Sequence, residues 1–184
     1  MANNSRLFQY HIQYFLFAFL PDPSLAVCVQ AGKGIDRSHC STAWEPNTEE
    51  DIKAYIEQVL ASQQEQPRQD YELAVCPENN GTLIGGVGIH VKDTNAELGY
   101  VLNPDYQGKG YAAEAARALL DFGFSTLAVN RIYATCRPEN KASEKVMQQI
   151  GMQREGLMCE HWYYKGEFHD SYLYSILAEE YNRT

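Results

Sequence analysis

The sequence lacks the patterns by which a metal site or a redox disulfide is usually recognised. Its cysteines, Cys28, Cys40, Cys76, Cys136 and Cys159, are scattered with no C-x-x-C pair, and its histidines fall in no H-x-x-x-H spacing. Zinc sites and thioredoxin-type chemistry both need closely spaced ligands, so no metal is expected. The odd, unpatterned cysteine set suits a reducing cytoplasm. Long apolar runs are missing too. Residues 12–20, IQYFLFAFL, fall far short of the roughly 20 residues of a membrane helix, and only Arg6 precedes them as a positive flank. Leu25-Ala26-Val27-Cys28 has the outline of a lipoprotein cleavage box, but Val27 is too large for the small residue needed before the cysteine. A buried strand or helix is the expected use of the run, with no membrane association. Basic residues are also in deficit: 15 Lys and Arg against 24 Asp and Glu, for a net charge of −9. That excludes a broad basic surface, and no nucleic-acid partner is expected. The acidic balance favours cationic partners such as amines or basic proteins, or serves solubility alone.

What is present is an ordinary globular composition, 45% hydrophobic and 21% charged over 184 residues, long enough for a single domain spanning 1–184. Thr48 and Asp51 form a box-like helix start, and Ile52, Tyr55, Ile56, Val59 and Leu60 recur at helical spacing, which predicts a helix over 48–62. Strands are expected at 71–76, 83–91 and 96–102, the first two joined by a turn at Glu78-Asn79-Asn80-Gly81. Gly85, Gly86 and Gly88 suggest a bulge or a close backbone neighbour. Ala112, Ala115, Ala116, Leu119 and Leu120 then make a helical stripe whose small residues would let the helix lie close to a sheet. A strand at 131–136, a helix at 143–149 closed by Gly151, and a long hairpin around Lys165-Gly166-Glu167 complete a mixed α/β fold.

Between the strand ending at Leu102 and the alanine-rich helix lies NPDYQGKGYAAEA, residues 103–115. A nucleotide P-loop is excluded, because Gly110 stands where Mg²⁺ needs a hydroxyl and Asn103 where the first glycine belongs. The dinucleotide fingerprint is absent as well. A glycine turn feeding a helix still directs free backbone N–H groups and the positive end of the helix dipole at an anion. Close packing is the alternative use of those glycines.

Gln107-Gly108-Lys109-Gly110-Tyr111-Ala112 matches the [QR]-x-x-G-x-[GA] signature of the GNAT superfamily of N-acetyltransferases, in which this turn wraps the pyrophosphate of acetyl-coenzyme A. Further blocks resemble the branch that acetylates ribosomal-protein N-terminal alanines. They are Trp44-Glu45-Pro46, then Ala96-Glu97-Leu98-Gly99-Tyr100-Val101-Leu102-Asn103-Pro104, then Pro138-Glu139-Asn140-Lys141-Ala142-Ser143 with Gly151-Met152, and finally Glu155-Gly156 with Lys165-Gly166-Glu167-Phe168-His169-Asp170. The resemblance covers about residues 44–181; residues 1–43 depart from it apart from Ser5-Arg6-Leu7.

The resemblance implies a mostly antiparallel sheet flanked by helices, acetyl-coenzyme A as co-substrate, and an amine acceptor. It places Gln107, Gly108, Lys109, Gly110, Tyr111, Ala112, Asn140 and Ser143 on the coenzyme, with the backbone amides of Val101 and Leu102 on the thioester oxygen. Glu97 is the implied base for the attacking amine. A terminal α-amino group, with a pKa near 8, is about one-tenth neutral at pH 7, whereas a lysine amine near 10.4 is neutral in only about 1 in 2,500. A modest base therefore suffices for a protein N-terminus. Many superfamily members protonate the leaving thiolate with a Tyr seven residues after the Asn; Met147 occupies that position and has no proton to donate. Ser143 is the expected substitute, as an acid or only as a hydrogen-bond donor to sulfur. Glu160 and His161 are candidates for the acceptor site, although strand alternation sends one of them away. A protein N-terminus is the leading acceptor. A small-molecule acetylator or a non-catalytic coenzyme-binding module is the alternative, in a cytoplasmic monomer or homodimer.

Overall fold

A computed structural model describes residues 12–16, 49–77, 82–164 and 166–183. The Thr48 cap, the turn at 78–81, Lys165, Trp44-Glu45-Pro46 and the possible cleavage box lie outside these residues. The described chain runs β1 (Ile12–Leu16), α1 (Glu49–Ser62), β2 (Asp70–Pro77), β3 (Gly85–Lys92), β4 (Asn95–Leu102), α2 (Tyr111–Ser125), β5 (Arg131–Cys136), α3 (Lys141–Gln149), β6 (Gln153–Tyr164), β7 (Glu167–Leu177) and α4 (Ala178–Tyr181). The strands make one seven-stranded sheet in the order β1-β2-β3-β4-β5-β7-β6. Part of the apolar N-terminal run thus becomes an edge strand, antiparallel to β2.

Each strand has one apolar face, and α2 lies against it. Val75, Val87, Ile89 and Ile132 from the sheet and Leu119 and Leu120 from α2 are all essentially inaccessible to solvent. The buried residues of α2 include Ala113, Ala115, Ala116, Ala118 and Gly123, so small side chains do bring this helix close to the sheet. A Cβ on Gly123 would fall 2.7 Å from Ile132 Cδ1 and 3.0 Å from Ile89 Cδ1. α3 starts two residues before its predicted position because Asn140 caps it, its side chain accepting the Ser143 N–H at 3.0 Å. Met147 on the same helix is fully buried in the core.

The one parallel contact, between β4 and β5, positions everything that follows. Its register holds for Asn95↔Arg131, Ala96↔Ile132 and Glu97↔Tyr133 and then stops, although β4 continues to Leu102 and β5 to Cys136. Past that point β4 stays paired with β3 and β5 with β7, so each strand has a ladder on its outer side while the two inner edges part. Backbone groups alternate sides along a strand. The Asn103 N–H donates to the Ile84 carbonyl at 2.8 Å, which sets the amides of odd-numbered β4 residues toward β3. Val101, opposite Gly86, therefore directs its amide at β3, and the amides past the last pair that face the gap are those of Tyr100 and Leu102.

The glycines of β3 are explained by a close neighbour rather than a bulge, since its register with β4 is unbroken. A Cβ on Gly85 would collide with the Val101 carbonyl oxygen and lie 2.6 Å from Leu102 Cδ2, whereas on Gly86 it would meet only the Leu73 carbonyl at 3.6 Å. Gly85→Ala is expected to cost about 1–3 kcal/mol through forced backbone displacement. Gly86→Ala should be near neutral, a contrast that urea unfolding of the two variants measures directly.

Candidate active site

The glycine turn is built from a short chain of local bonds. Asn103 Oδ1 accepts the Asp105 N–H at 3.0 Å and starts a 3-10 turn over Pro104–Tyr106. Gln107 Nε2 donates to the Leu102 carbonyl at 3.1 Å, tying the turn to the end of β4. Lys109 folds back: its ammonium donates to the Asp105 carbonyl at 2.9 Å and lies 5.1 Å from the centre of the Tyr106 ring. Gly108 and Gly110 have φ of +74° and +88°, where an L side chain is strained, and a Cβ at either would meet nothing within 4 Å. Close packing therefore does not account for them. Gly110 is the N-cap of α2 and makes no side-chain capping bond, so Tyr111 and Ala112 open a helix whose first amides have no intrahelical acceptor. This geometry fits the pyrophosphate of a coenzyme A.

At the far side of the gap, Asn140 is occupied in capping α3, and Ser143 sits in the first turn of that helix. Ser143 is not alone. The Tyr100 hydroxyl is 2.9 Å from Ser143 Oγ and 3.1 Å from the Ser143 carbonyl oxygen. Burial pushes the Tyr100 phenol up to about 12, the Ser143 hydrogen bond opposing that rise. Tyr100 had no signal of its own in the sequence beyond its place in the strand motif.

On the opposite face of the sheet an open cleft of about 460 Å³ lies over the last β4–β5 pair, lined among others by Glu97, Tyr133, Thr135, Met158, His161 and Trp162. Burial raises the Tyr133 phenol above its ordinary value, and the neighbouring Glu97 carboxylate, which is hydrogen-bonded to it, raises it further. Arg131 at the same end makes a two-pronged pair with Glu155, at 2.5 Å on each arm, and Ser175 Oγ donates to Glu155 at 2.6 Å. Arg131 first and Ser175 second hold the Glu155 carboxyl down at about 2.

β6 does not alternate regularly here. Its register to β7 shifts between Met158 and Trp162, so that Cys159, Glu160 and His161 stand against Asp170 alone. Glu160 takes a φ of +50°, and its amide donates to Asp170 Oδ1 at 2.8 Å. This bulge sends His161 into the cleft lining, with its ring edge-on to Trp162 at 5.0 Å, while Glu160 is exposed and outside the lining. The bulge, which alternation could not foresee, decides between the two candidates. Among the described residues, no three His, Cys, Asp or Glu side chains are grouped to hold a metal ion, and no helix is long and apolar enough to cross a membrane.

The model of the acetyltransferase (GNAT) domain matches residues 16–153, and the chain belongs to that family. It is an N-acetyltransferase of the kind that uses acetyl-coenzyme A. An uncharacterised N-acetyltransferase of Bacillus subtilis, YnaD, is 40% identical over 137 residues, 73% of this chain and 77% of that protein. The spermidine N(1)-acetyltransferase of Escherichia coli K12 is 26% identical over 106 residues, covering 58% of this chain and 57% of that protein. Among solved structures, the ribosomal-protein-S5-alanine acetyltransferase of Vibrio fischeri superposes with a TM-score of 0.75 at 24% identity, over 93% of this chain and 95% of that one, a likeness of fold.

One group on the cleft's face of the sheet reports on folding. His90, directly opposite Glu97 across the β3–β4 ladder, lies 3.1 Å from Glu72 and 2.8 Å from Asp70. Glu72 chiefly, with Asp70 adding and burial opposing, raises its pKa to about 9. Between about 6.5, the unfolded value, and about 9 the folded chain holds a proton that the unfolded chain has lost, so stability falls as pH rises through that window. His90→Gln is expected to flatten that slope, as read from urea midpoints across the same pH range.

Proposed function

We propose that the protein transfers the acetyl group of acetyl-coenzyme A directly to a primary amine, with a protein or peptide N-terminal α-amino group as the leading acceptor. The observation that carries this reading is the parted pair of strands. The gap begins at Glu97, which looks into the cleft on one face, and ends at the open glycine turn, with Ser143 bonded to Tyr100 on the other face. An acyl donor whose pyrophosphate rests on the amides around Gly108, Gly110, Tyr111 and Ala112 reaches the gap from one side, and an amine reaches it from the other.

Within that arrangement Glu97 takes the proton of the attacking amine, directly or through water, and Tyr133 holds the carboxylate in place. The amides of Leu102 and Tyr100 face the position of the thioester oxygen and stabilise charge developing there. Ser143 meets the departing sulfur. Direct transfer needs no covalent enzyme intermediate, and no cysteine lies in a motif to form one.

A second reading, acetylation of a small polyamine, is favoured by Asp70 and Glu72, which share the cleft's face of the sheet with Glu97. His90 sits between those carboxylates and offsets part of their charge, which weakens this reading as a cation site.

Thiol release from acetyl-coenzyme A with Ala- and Ser-starting peptides, spermidine and aminoglycosides separates the two. Peptides are expected to give the higher kcat/KM, and turnover confined to spermidine would reverse the assignment. Glu97→Gln should lower kcat by about 100-fold at neutral pH with a small change in KM for acetyl-coenzyme A. Unchanged turnover in that variant would remove Glu97 from the chemistry.

A further inference from the structure

Tyr100 stands on β4 past the last pair with β5, and its hydroxyl contacts both polar oxygens of Ser143, at 2.9 Å and 3.1 Å. The contact crosses the gap, because Ser143 belongs to the helix that follows β5. Its protons can be counted. The carbonyl oxygen only accepts, the phenol carries one proton and the serine hydroxyl one. If the phenol donates to the carbonyl, the serine proton is taken up by the phenolic oxygen and none points into the gap. If the phenol donates to Oγ, the serine proton is released toward a third atom. The two arrangements differ only by rotation of two hydroxyl groups about their C–O bonds.

Resting on the assignment of Ser143 to the departing sulfur, we infer that Tyr100 is a positioning residue for the leaving thiolate: it donates to Ser143 Oγ and thereby turns the serine proton onto the sulfur. As the C–S bond breaks, its electron pair goes to sulfur, the serine O–H hydrogen-bonds that developing charge, and the phenol O–H backs the serine. Each donor polarises the next, and a bond to an ionised acceptor is about twice as strong as a neutral one. Both hydroxyls keep their protons. Burial raises the phenol to about 12, while an ordinary thiol lies near 8.5, so passing a proton down this chain would leave the less stable anion. The proton that finally neutralises the thiolate is the one the amine sheds as the amide forms, carried by Glu97 or water.

The test uses the full chain and coenzyme A alone, followed by turnover with the best peptide of the panel. Thiolate absorbance of bound coenzyme A, titrated against pH, gives the pKa of its thiol on the enzyme. Tyr100→Phe, which keeps the ring, is expected to raise that pKa by about one unit and to lower kcat about tenfold, with less than about a threefold change in KM for acetyl-coenzyme A. Ser143→Ala should do at least as much, and the double variant no more than Ser143→Ala alone. Fluorotyrosine at position 100, which restores a hydroxyl, should recover the wild-type values and separates loss of the proton donor from loss of folding. A normal thiol pKa and kcat in Tyr100→Phe beside a defective Ser143→Ala would overturn the role of Tyr100. A normal Ser143→Ala would overturn the assignment of Ser143, and the role of Tyr100 with it.

Discussion

After Glu97 and Tyr133, β4 and β5 stop pairing, and the rest of each strand is held only from outside, β4 by β3 and β5 by β7. A sheet normally spends its backbone polar groups on its neighbours; here the alternation of β4 leaves the Tyr100 and Leu102 amides facing a gap that opens on both faces. The other parts of the site are arranged around that gap. α2 connects the two strands, so its uncapped N-terminus stands at the open end of β4. Gly85 lets β3 approach the end of β4 closely enough to keep that strand in its outer ladder.

The two faces of the gap differ in chemistry. On the α2 side the ends of the strands meet small and apolar groups, and the polar atoms present are tied to one another, Asn140 to the Ser143 amide and Tyr100 to the Ser143 oxygens. On the cleft side the carboxylates have specific partners: Glu97 with Tyr133, Glu155 with Arg131 and Ser175, and Asp70 and Glu72 with His90. The negative net charge is therefore partly internally compensated on this face, and Glu97 faces the cleft beside a phenol instead of a cation.

Much of the fold was legible in the sequence because the periodicities are local. β5 has the predicted limits Arg131–Cys136, the Gly166 turn lies within the β6–β7 hairpin, and the alanine stripe marks the helix that packs closest to the sheet. Gly108 and Gly110 were recognisable as a turn feeding a helix, since positive φ and an uncapped helix start are properties of a few consecutive residues. Ser143 and Asn140 were recognisable for the same reason, through the cap of α3.

What tertiary structure alone decided lies between segments. Strand alternation treated Glu160 and His161 as equals; the Asp170 carboxylate, paired across the hairpin, stabilises the bulge that directs His161 into the cleft. Val101 and Leu102 looked equivalent until the Asn103–Ile84 bond set the direction of every amide on β4. Tyr100 and Ser143 are 43 residues apart in the chain and meet only because β4 and the helix after β5 close on one another. The sequence by itself determined the elements and the chemical groups they carry, since these depend on near neighbours. Which of those groups face one another across the gap depends on register and on where a ladder ends, and both are set by residues distant in the chain.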